Sequence, residues 1–181
     1  MNDVFDPQGE IVAALRRIIR AVDLHSKYLA QRYGLTGPQL VVLQYLEQHG
    51  PKTTGQIADG VSLGQATLSD MLERLEKKKL VARRRGREDK RRVINELTAA
   101  GREAIEQAPP LLQERFIREL RRLEDWEQTL ILSTLQRVAV MMQAETIEAS
   151  PVLVTGPMAR SAEDIAEFLG GEAAKTPEPS E

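Results

Sequence analysis

The sequence predicts a mainly α-helical protein with a small β-hairpin wing, a winged helix-turn-helix with helices at both ends. Closely spaced helix-start signatures fall within thirty residues in the middle of the chain. Two short β-capable runs around a charged turn follow the last of these helices directly. Apolar residues at helical spacing precede and follow this central region, so long helices are expected on both sides.

The first predicted helix begins at Asp6-Pro7, a capping side chain followed by proline at the first helical position. Its apolar residues recur at helical spacing as far as about Tyr33. Gly34 then suits the position just past a helix end, where a left-handed backbone is common. The sequence therefore predicts one long amino-terminal helix.

Three capping boxes follow, TGPQ at 36–39, TTGQ at 53–56 and SLGQ at 62–65. In each, the first hydroxyl accepts a backbone N–H and the glutamine reaches back to the capping residue. The third helix of the chain ends near Gly60, and only a Gly-Val-Ser turn separates it from the fourth. A short helix, a tight turn and a longer helix predict a helix-turn-helix.

The fourth helix has two distinct faces. Its apolar stripe contains Leu68, Met71, Leu72 and Leu75. The residues expected to point away from that stripe are Ala66, Ser69, Asp70, Glu73, Arg74 and Lys77. Small polar side chains let a helix enter a groove of DNA, and basic side chains further along meet phosphates. An apolar outward face would instead favour a protein–protein adaptor, which is the alternative function.

The predicted wing comprises strands at 81–85 and 92–97, joined by the charged tip GREDKR. Arg87 and Arg91 at the tip suit a narrow minor groove, and Asp89 suits the role of holding an arginine in place. Side chains alternate along a strand. We therefore expect either Arg84, or the pair Arg83 and Arg85, to contact DNA, but not both sets.

Charge is concentrated around this wing. Residues 71–92 hold eleven basic and four acidic residues, a net of +7, whereas the chain as a whole is −2 and the remainder is therefore −9. A basic patch on an acidic protein is typical of a polyanion partner. Double-stranded DNA is the expected partner.

Helices are also predicted after the wing. Thr98 caps one from Ala99 that breaks near Ala108, before Pro109-Pro110, and helix resumes through Leu120. A last helix from residue 124 or 125 to about 144 is apolar on several sides, which predicts packing against a second chain in a homodimer. Trp126 either anchors that interface or covers the core. The expected divisions are an amino-terminal dimerisation helix at 1–35, the DNA-binding domain at 36–98, dimerisation helices at 99–145 and an acidic, partly disordered tail at 146–181.

Composition excludes several classes of function. The 181 residues contain no cysteine and two histidines, so thiol redox chemistry and multi-histidine metal sites are excluded. No signal peptide or bilayer-length apolar run is present, so a cytoplasmic location without membrane contact is expected. No cofactor motif is found. Asp23 with His25 is the one candidate pair for acid–base chemistry, and it has no nucleophile or phosphate loop beside it, so we expect no catalytic residues and no enzyme.

The chain resembles MarR-type winged-helix transcriptional regulators from about residue 15 to 135. The resemblance rests on GLTGPQLVVLQYL, on the stretch from GQIADG to the wing, on the D-x-R of Asp89 and Arg91, and on the L-T-x-x-G beginning at Leu97. It implies an obligate dimer built from the N- and C-terminal helices, and a palindromic operator at which the protein acts as a repressor. It assigns Arg91 to the minor groove with Asp89 orienting it, and Gln65, Thr67 and Ser69 to the recognition helix.

The resemblance also implies regulation by a small-molecule effector or by cysteine oxidation, and the absence of cysteine leaves the effector. His25 and Tyr28 are candidate effector ligands, with a structural role for His25 as the favoured alternative. Lys79 departs from the glycine that many members have between recognition helix and wing, and it would be strained if the turn needs a positive φ. A narrower resemblance, in 15–40 and in WEQTLILSTLQRVAVMM, is to a branch that controls compatible-solute (ectoine or betaine) genes and thus osmotic stress.

Overall fold

The computed structural model describes residues 6–85, 92–144, 147 and 152–154. Within them the chain forms mostly helices with one small antiparallel sheet, as the sequence predicts. The elements in chain order are α1 (Pro7–Tyr33), α2 (Gly37–His49), β1 (Lys52–Thr53), α3 (Thr54–Val61), α4 (Gln65–Lys77), β2 (Val81–Arg85), β3 (Val93–Leu97), α5 (Ala99–Gln107), α6 (Leu112–Leu120) and α7 (Asp125–Met141).

Most of the predicted helix boundaries are confirmed. Asp6 accepts backbone hydrogen bonds at the start of α1, and Gly34 ends that helix with a left-handed backbone, φ 65°. Thr36 and Thr53 both form complete capping boxes at the starts of α2 and α3. α5 ends before the two prolines, whereas α7 ends at Met141, three residues before the predicted position.

The predicted capping box at Ser62 is wrong. Ser62 is the C-cap of α3, with a left-handed φ of 53°. Helix α4 begins three residues later, after Gly64, which offers no side-chain cap. Because Ser62 is required to reverse the chain after the buried Val61, its backbone cannot also adopt the extended conformation of an N-cap.

The sheet has the strand order β1-β3-β2, with both pairs antiparallel. The hairpin pairs Val81 with Leu97 at one end and Arg85 with Val93 at the other. Strand β1, which has two residues and pairs Lys52 with Asn95, is not among the elements predicted from the sequence. The Asn95 side chain is fully buried, and its Nδ2 donates to the Lys52 carbonyl at 3.3 Å. The wing is therefore tied to the segment between α2 and α3.

The core lies beneath α4. Leu68, Leu72 and Leu75 of its apolar stripe are fully buried. They belong to one cluster with buried side chains of α2, α3 and the sheet, including Leu43, Ile57, Val81 and Leu97. Burying each such aliphatic side chain contributes about 1.5–3 kcal/mol, so this cluster fixes which face of α4 points outward.

The chain divides into two compact units. The first contains Met1–Phe116 and Ser150–Gly156, and the second contains Ile117–Ala149 and Pro157–Glu181. Among the residues that the structure describes, no helix combines the length and hydrophobicity that a membrane crossing requires. Of the predicted tail at 146–181, the structure describes only residues 147 and 152–154, and the remainder lies outside the described residues.

Candidate nucleic-acid interface

The outward face of α4 is exposed along its whole length. The side chains of Gln65, Ala66, Ser69, Asp70, Glu73, Arg74 and Lys77 are exposed, and that of Thr67 is half-buried. The division of this helix into a buried apolar stripe and an exposed polar face is therefore as predicted. The first two turns present small or polar groups, among them the Asp70 carboxylate, whereas the last turn presents Arg74 and Lys77.

Two contacts within α4 hold polar side chains of its exposed face in place. The Ser69 hydroxyl donates to the Gln65 carbonyl at 2.8 Å, which keeps that side chain close to the helix. The Lys77 ammonium lies 2.7 Å from a Glu73 carboxylate oxygen. This hydrogen bond, together with the positive charge of Lys77, holds the pKa of Glu73 below its ordinary value. Glu73 is thus charged beside the basic end of the helix and partly neutralises it.

The two arginines in the middle of β2 have different surroundings. Arg83 is partly buried, its Nη2 donates to the Ser69 carbonyl at 3.2 Å, and its Nε lies 3.6 Å from a Glu76 carboxylate oxygen. Arg84 is on the opposite side of the strand and donates to Glu96 at 3.0 Å. Arg83 therefore joins the wing to α4. Apart from the alternation of Arg83 with Arg84, nothing in the sequence indicates this role.

The turn between α4 and the wing has a left-handed residue. Lys79 has φ 61°, so the turn does require the conformation for which glycine is usual. Its carbonyl accepts a hydrogen bond from the Thr98 hydroxyl at 2.8 Å. The preceding Lys78 donates its ammonium to the Gly34 carbonyl at the end of α1. These bonds connect the carboxyl end of α4 to α1 and to the start of α5.

The predicted tip residues Arg87, Asp89 and Arg91 lie outside the described residues, so the structure gives no geometry for them. The strands on either side of the tip are described, and both Arg85 and Arg92 are exposed where those strands approach it. The roles of all these residues toward DNA stay predictions.

His25 is hydrogen-bonded within the protein. Its Nε2 accepts the backbone N–H of Leu112 at 3.2 Å, at the start of α6. The Nε2 atom therefore carries no proton in this structure. Burial of the ring, with a smaller contribution from the Arg115 charge, lowers the pKa of His25. The bond supports the structural role for His25, while its role toward an effector stays a prediction.

Tyr28, the other candidate effector ligand, is half-exposed near the carboxyl end of α1. Its hydroxyl lies 3.4 Å from the Tyr33 hydroxyl, and the two rings meet edge to face with centroids 5.7 Å apart. His25 and Tyr28 lie on one helix, three residues apart, so they share a side of α1.

The fold and the exposed face of α4 define a winged helix-turn-helix protein. The sequence profile of the MarR family matches residues 35–93, which span α2, the helix-turn-helix and most of the wing. The organic hydroperoxide resistance transcriptional regulator of Bacillus subtilis (strain 168) is 30% identical over 104 residues, 56% of this chain and 71% of that protein. The chain belongs to the MarR family of transcriptional regulators.

Solved structures show the same fold. A MepR-like protein complexed with pseudoligands is 25% identical, with a TM-score of 0.54 over 76% of this chain and 97% of that one. The Staphylococcus aureus MepR–DNA complex is 24% identical, with a TM-score of 0.54 over 72% of this chain and 96% of that one. The winged-helix architecture derived from the sequence is therefore that of known regulators.

Proposed function

We propose that this protein is a homodimeric, sequence-specific DNA-binding repressor that recognises a palindromic operator in the bacterial cytoplasm. The observation that carries the proposal is the exposed face of α4, small and polar at its start and basic at its end, on a helix whose other face is anchored in the core. Such a helix fits the major groove, with its early residues at base edges and its basic end at phosphates.

The residues of the interface divide by their chemistry. In this proposal the groove-facing residues of α4 are Gln65, Ala66, Thr67, Ser69 and Asp70, with Arg74 at a phosphate. The wing contributes Arg84, Arg87 and Arg91, with Asp89 orienting an arginine. Arg84 already pairs with Glu96 at 3.0 Å, so it exchanges that partner for a phosphate on binding. Arg83 stays in place and holds the wing against α4.

Direct measurement of DNA binding tests the proposal. An operator is first selected from random duplex DNA with the wild-type protein, and affinity is then measured by fluorescence anisotropy at several salt concentrations. Replacing Arg74 with alanine removes a phosphate contact and reduces the salt slope by about one. The matched control is Arg122→Ala, which removes an equal charge from the other unit and leaves affinity unchanged. Failure of the wild-type protein to enrich any sequence refutes DNA recognition.

Homodimerisation is supported by apolar side chains exposed on α1 and, separately, on α7. On α1 these are Ile11, Val12, Ile18, Ile19, Leu24 and Tyr28, and on α7 they are Trp126, Leu130, Leu132, Leu135, Val140 and Met141. Trp126 is 66% exposed and so does not cover the core of its own unit. Exposed apolar surface of this extent is typical of a protein–protein interface, and a second copy is the occupant that a palindromic operator requires.

The dimer is tested by light scattering coupled to gel filtration, which is expected to give twice the chain mass of 20.3 kDa. Leu130→Glu places a charge in the proposed interface and is expected to give monomers. Gln48→Glu, which adds a negative charge at an exposed residue of α2 outside both sets of apolar side chains, is the control and leaves the dimer intact. A wild-type protein of monomer mass refutes this part of the proposal.

The target genes are proposed from the sequence resemblance, and the effector from that resemblance together with a solved structure. Control of compatible-solute genes rests on the sequence resemblance alone, and it predicts that deletion of the gene raises transcripts for ectoine or betaine synthesis and uptake. The Bacillus subtilis relative is named for organic hydroperoxide resistance, but oxidation of a thiol is not available to a chain without cysteine. The pseudoligands in the MepR-like protein support a small-molecule effector, for which His25 and Tyr28 stay the candidate ligands.

A further inference from the structure

Residues 152–154, which follow α7 in the chain, belong to the first unit rather than the second. The Val152 side chain is 6% exposed and belongs to the core of the first unit. The Leu153 backbone N–H donates to the Gln113 side-chain oxygen at 3.1 Å, and the Leu153 side chain is 45% exposed. Val154 packs against the same core. In residues 152–154, which we name the strap, the side chains of Val152 and Val154 therefore face the core while the Leu153 backbone bonds to Gln113.

The groove that receives the strap is shaped by a glycine. Gly37 is the first residue of α2, and a Cβ added there would lie 2.5 Å from Cγ1 of Val154. The next nearest group is a Leu111 methyl at 3.8 Å, an ordinary contact. Gly37 is buried, and its missing side chain is what allows Val154 to reach α2. The strap thus has a fitted site between the amino-terminal ends of α2 and α6.

The first turn of α6 also forms hydrogen bonds with side chains of two other helices, α1 and α2. His25 of α1 accepts the Leu112 N–H, and Gln44 of α2 donates to the Glu114 carboxylate at 3.1 Å. Residues 112–116 of α6 and residues 152–154 belong to the same compact unit. The strap therefore adds a further contact to the first turn of α6, within the first unit.

We propose that the strap has a regulatory role. Residues 152–154 bind against Gly37 and Gln113, hold the start of α6 in place and thereby maintain operator affinity. The affinity part rests on the proposed function. A dimer that reads two half-sites must present its two recognition helices at a fixed spacing, and a fixed first turn of α6 reduces the conformational freedom that binding would otherwise have to remove. Releasing the strap is expected to weaken binding without altering any residue that faces DNA.

The seating of the strap is tested first, without DNA, by hydrogen–deuterium exchange measured by mass spectrometry on the full chain. Val152→Asp introduces a charge at the buried residue and is expected to raise exchange at the Leu153 amide and in the first turn of α6. Leu153→Asp adds the same charge at the exposed neighbour and is expected to leave exchange unchanged. Equal exchange in Val152→Asp and wild type would show that the strap is not seated in solution.

A compensating pair tests the contact with Gly37 specifically. Gly37→Ala is expected to release the strap because its new Cβ would meet Val154 Cγ1 at 2.5 Å. Val154→Ala removes that methyl group and leaves its Cβ 3.9 Å from the added one, so the double variant is expected to recover the exchange of Val154→Ala alone. Absence of this recovery contradicts the assigned contact.

Operator affinity is then measured by anisotropy on the selected operator. The strap variants Val152→Asp and Gly37→Ala are expected to bind roughly fivefold or more weakly, with Leu153→Asp equal to wild type. Raised exchange with unchanged affinity overturns the regulatory role and leaves a structural contact. A wild-type protein that selects no sequence refutes both the proposed function and the affinity part, whereas the exchange experiments still decide whether the strap is seated.

Discussion

Replacement of Lys79 by glycine is expected to stabilise the protein, because the turn after α4 holds a lysine in a conformation that glycine adopts freely. Lys79 has φ 61°, and its side chain is exposed. Its backbone N–H donates to the Glu76 carbonyl at 2.8 Å, and its carbonyl accepts from Thr98. Both bonds are made by the backbone, so a glycine at this position retains them.

The magnitude follows from two opposing effects. The left-handed conformation costs a residue with a Cβ roughly 1–2 kcal/mol. Glycine gains conformational freedom in the unfolded chain, which offsets about 0.4–1 kcal/mol of that relief. Lys79→Gly should therefore raise the free energy of unfolding by about 0.5–1 kcal/mol, and the melting temperature by about 1–4 °C in a chain of this length.

Urea unfolding, followed by circular dichroism, measures the change, with Lys77→Gly as the matched control. Lys77 is the last residue of α4, two residues before Lys79, and each substitution removes one exposed positive charge. At Lys77, glycine weakens the helix by up to about 1 kcal/mol, so the two variants should shift the midpoint in opposite directions. A Lys79→Gly variant that is destabilised as much as Lys77→Gly would refute the strain assigned to this turn.

Two further predictions concern stability. Gly101→Ala would place a Cβ 2.3 Å from the Leu80 carbonyl oxygen, so it is expected to destabilise the protein by about 1–3 kcal/mol or more in urea unfolding. The control is Gly55→Ala in α3, whose Cβ would meet Gln65 Nε2 at an ordinary 3.6 Å and which is expected not to destabilise the protein. The lowered pKa of His25 means that the folded protein favours the neutral ring, whose Nε2 accepts the Leu112 N–H. This contribution is complete above about pH 6.5 and is lost as the pH falls through the lower folded-state pKa, so NMR titration should place His25 below 6.5, and a His25→Phe variant should lose less stability than wild type between pH 7.5 and 5.5. A His25 titration at or above 6.5 contradicts this assignment.

Local chemistry explains why most helix boundaries could be predicted. The capping residues Asp6, Thr36 and Thr53 satisfy backbone groups within three residues of themselves, so the signal is contained in the sequence around them. The same holds for the exposed face of α4, because helical periodicity alone separates its leucines from its polar residues. At Ser62 local chemistry does not suffice, because the sequence around this residue fits both the end of α3 and the start of α4.

Contacts between distant segments could not be predicted in this way. β1 has only two residues, and it exists because Lys52 meets Asn95 across forty-three positions of sequence. Arg83 was considered for DNA contact as one of three arginines, whereas its actual neighbours, Ser69 and Glu76, depend on how the wing packs on α4. The tail was expected to be acidic and partly disordered, and nothing in its composition indicated that Val152 is buried in the first unit.

The order of the helices, the hairpin, the two faces of α4 and the positive charge around the wing are evident from the amino-acid sequence, because each depends on neighbours along the chain. The partners of Arg83, Lys78 and His25, and the contact of residues 152–154 with Gly37, become evident once the elements are packed together. Their partners are set by the packing of whole elements, and a buried or paired group is recognisable only when the opposite surface is in place.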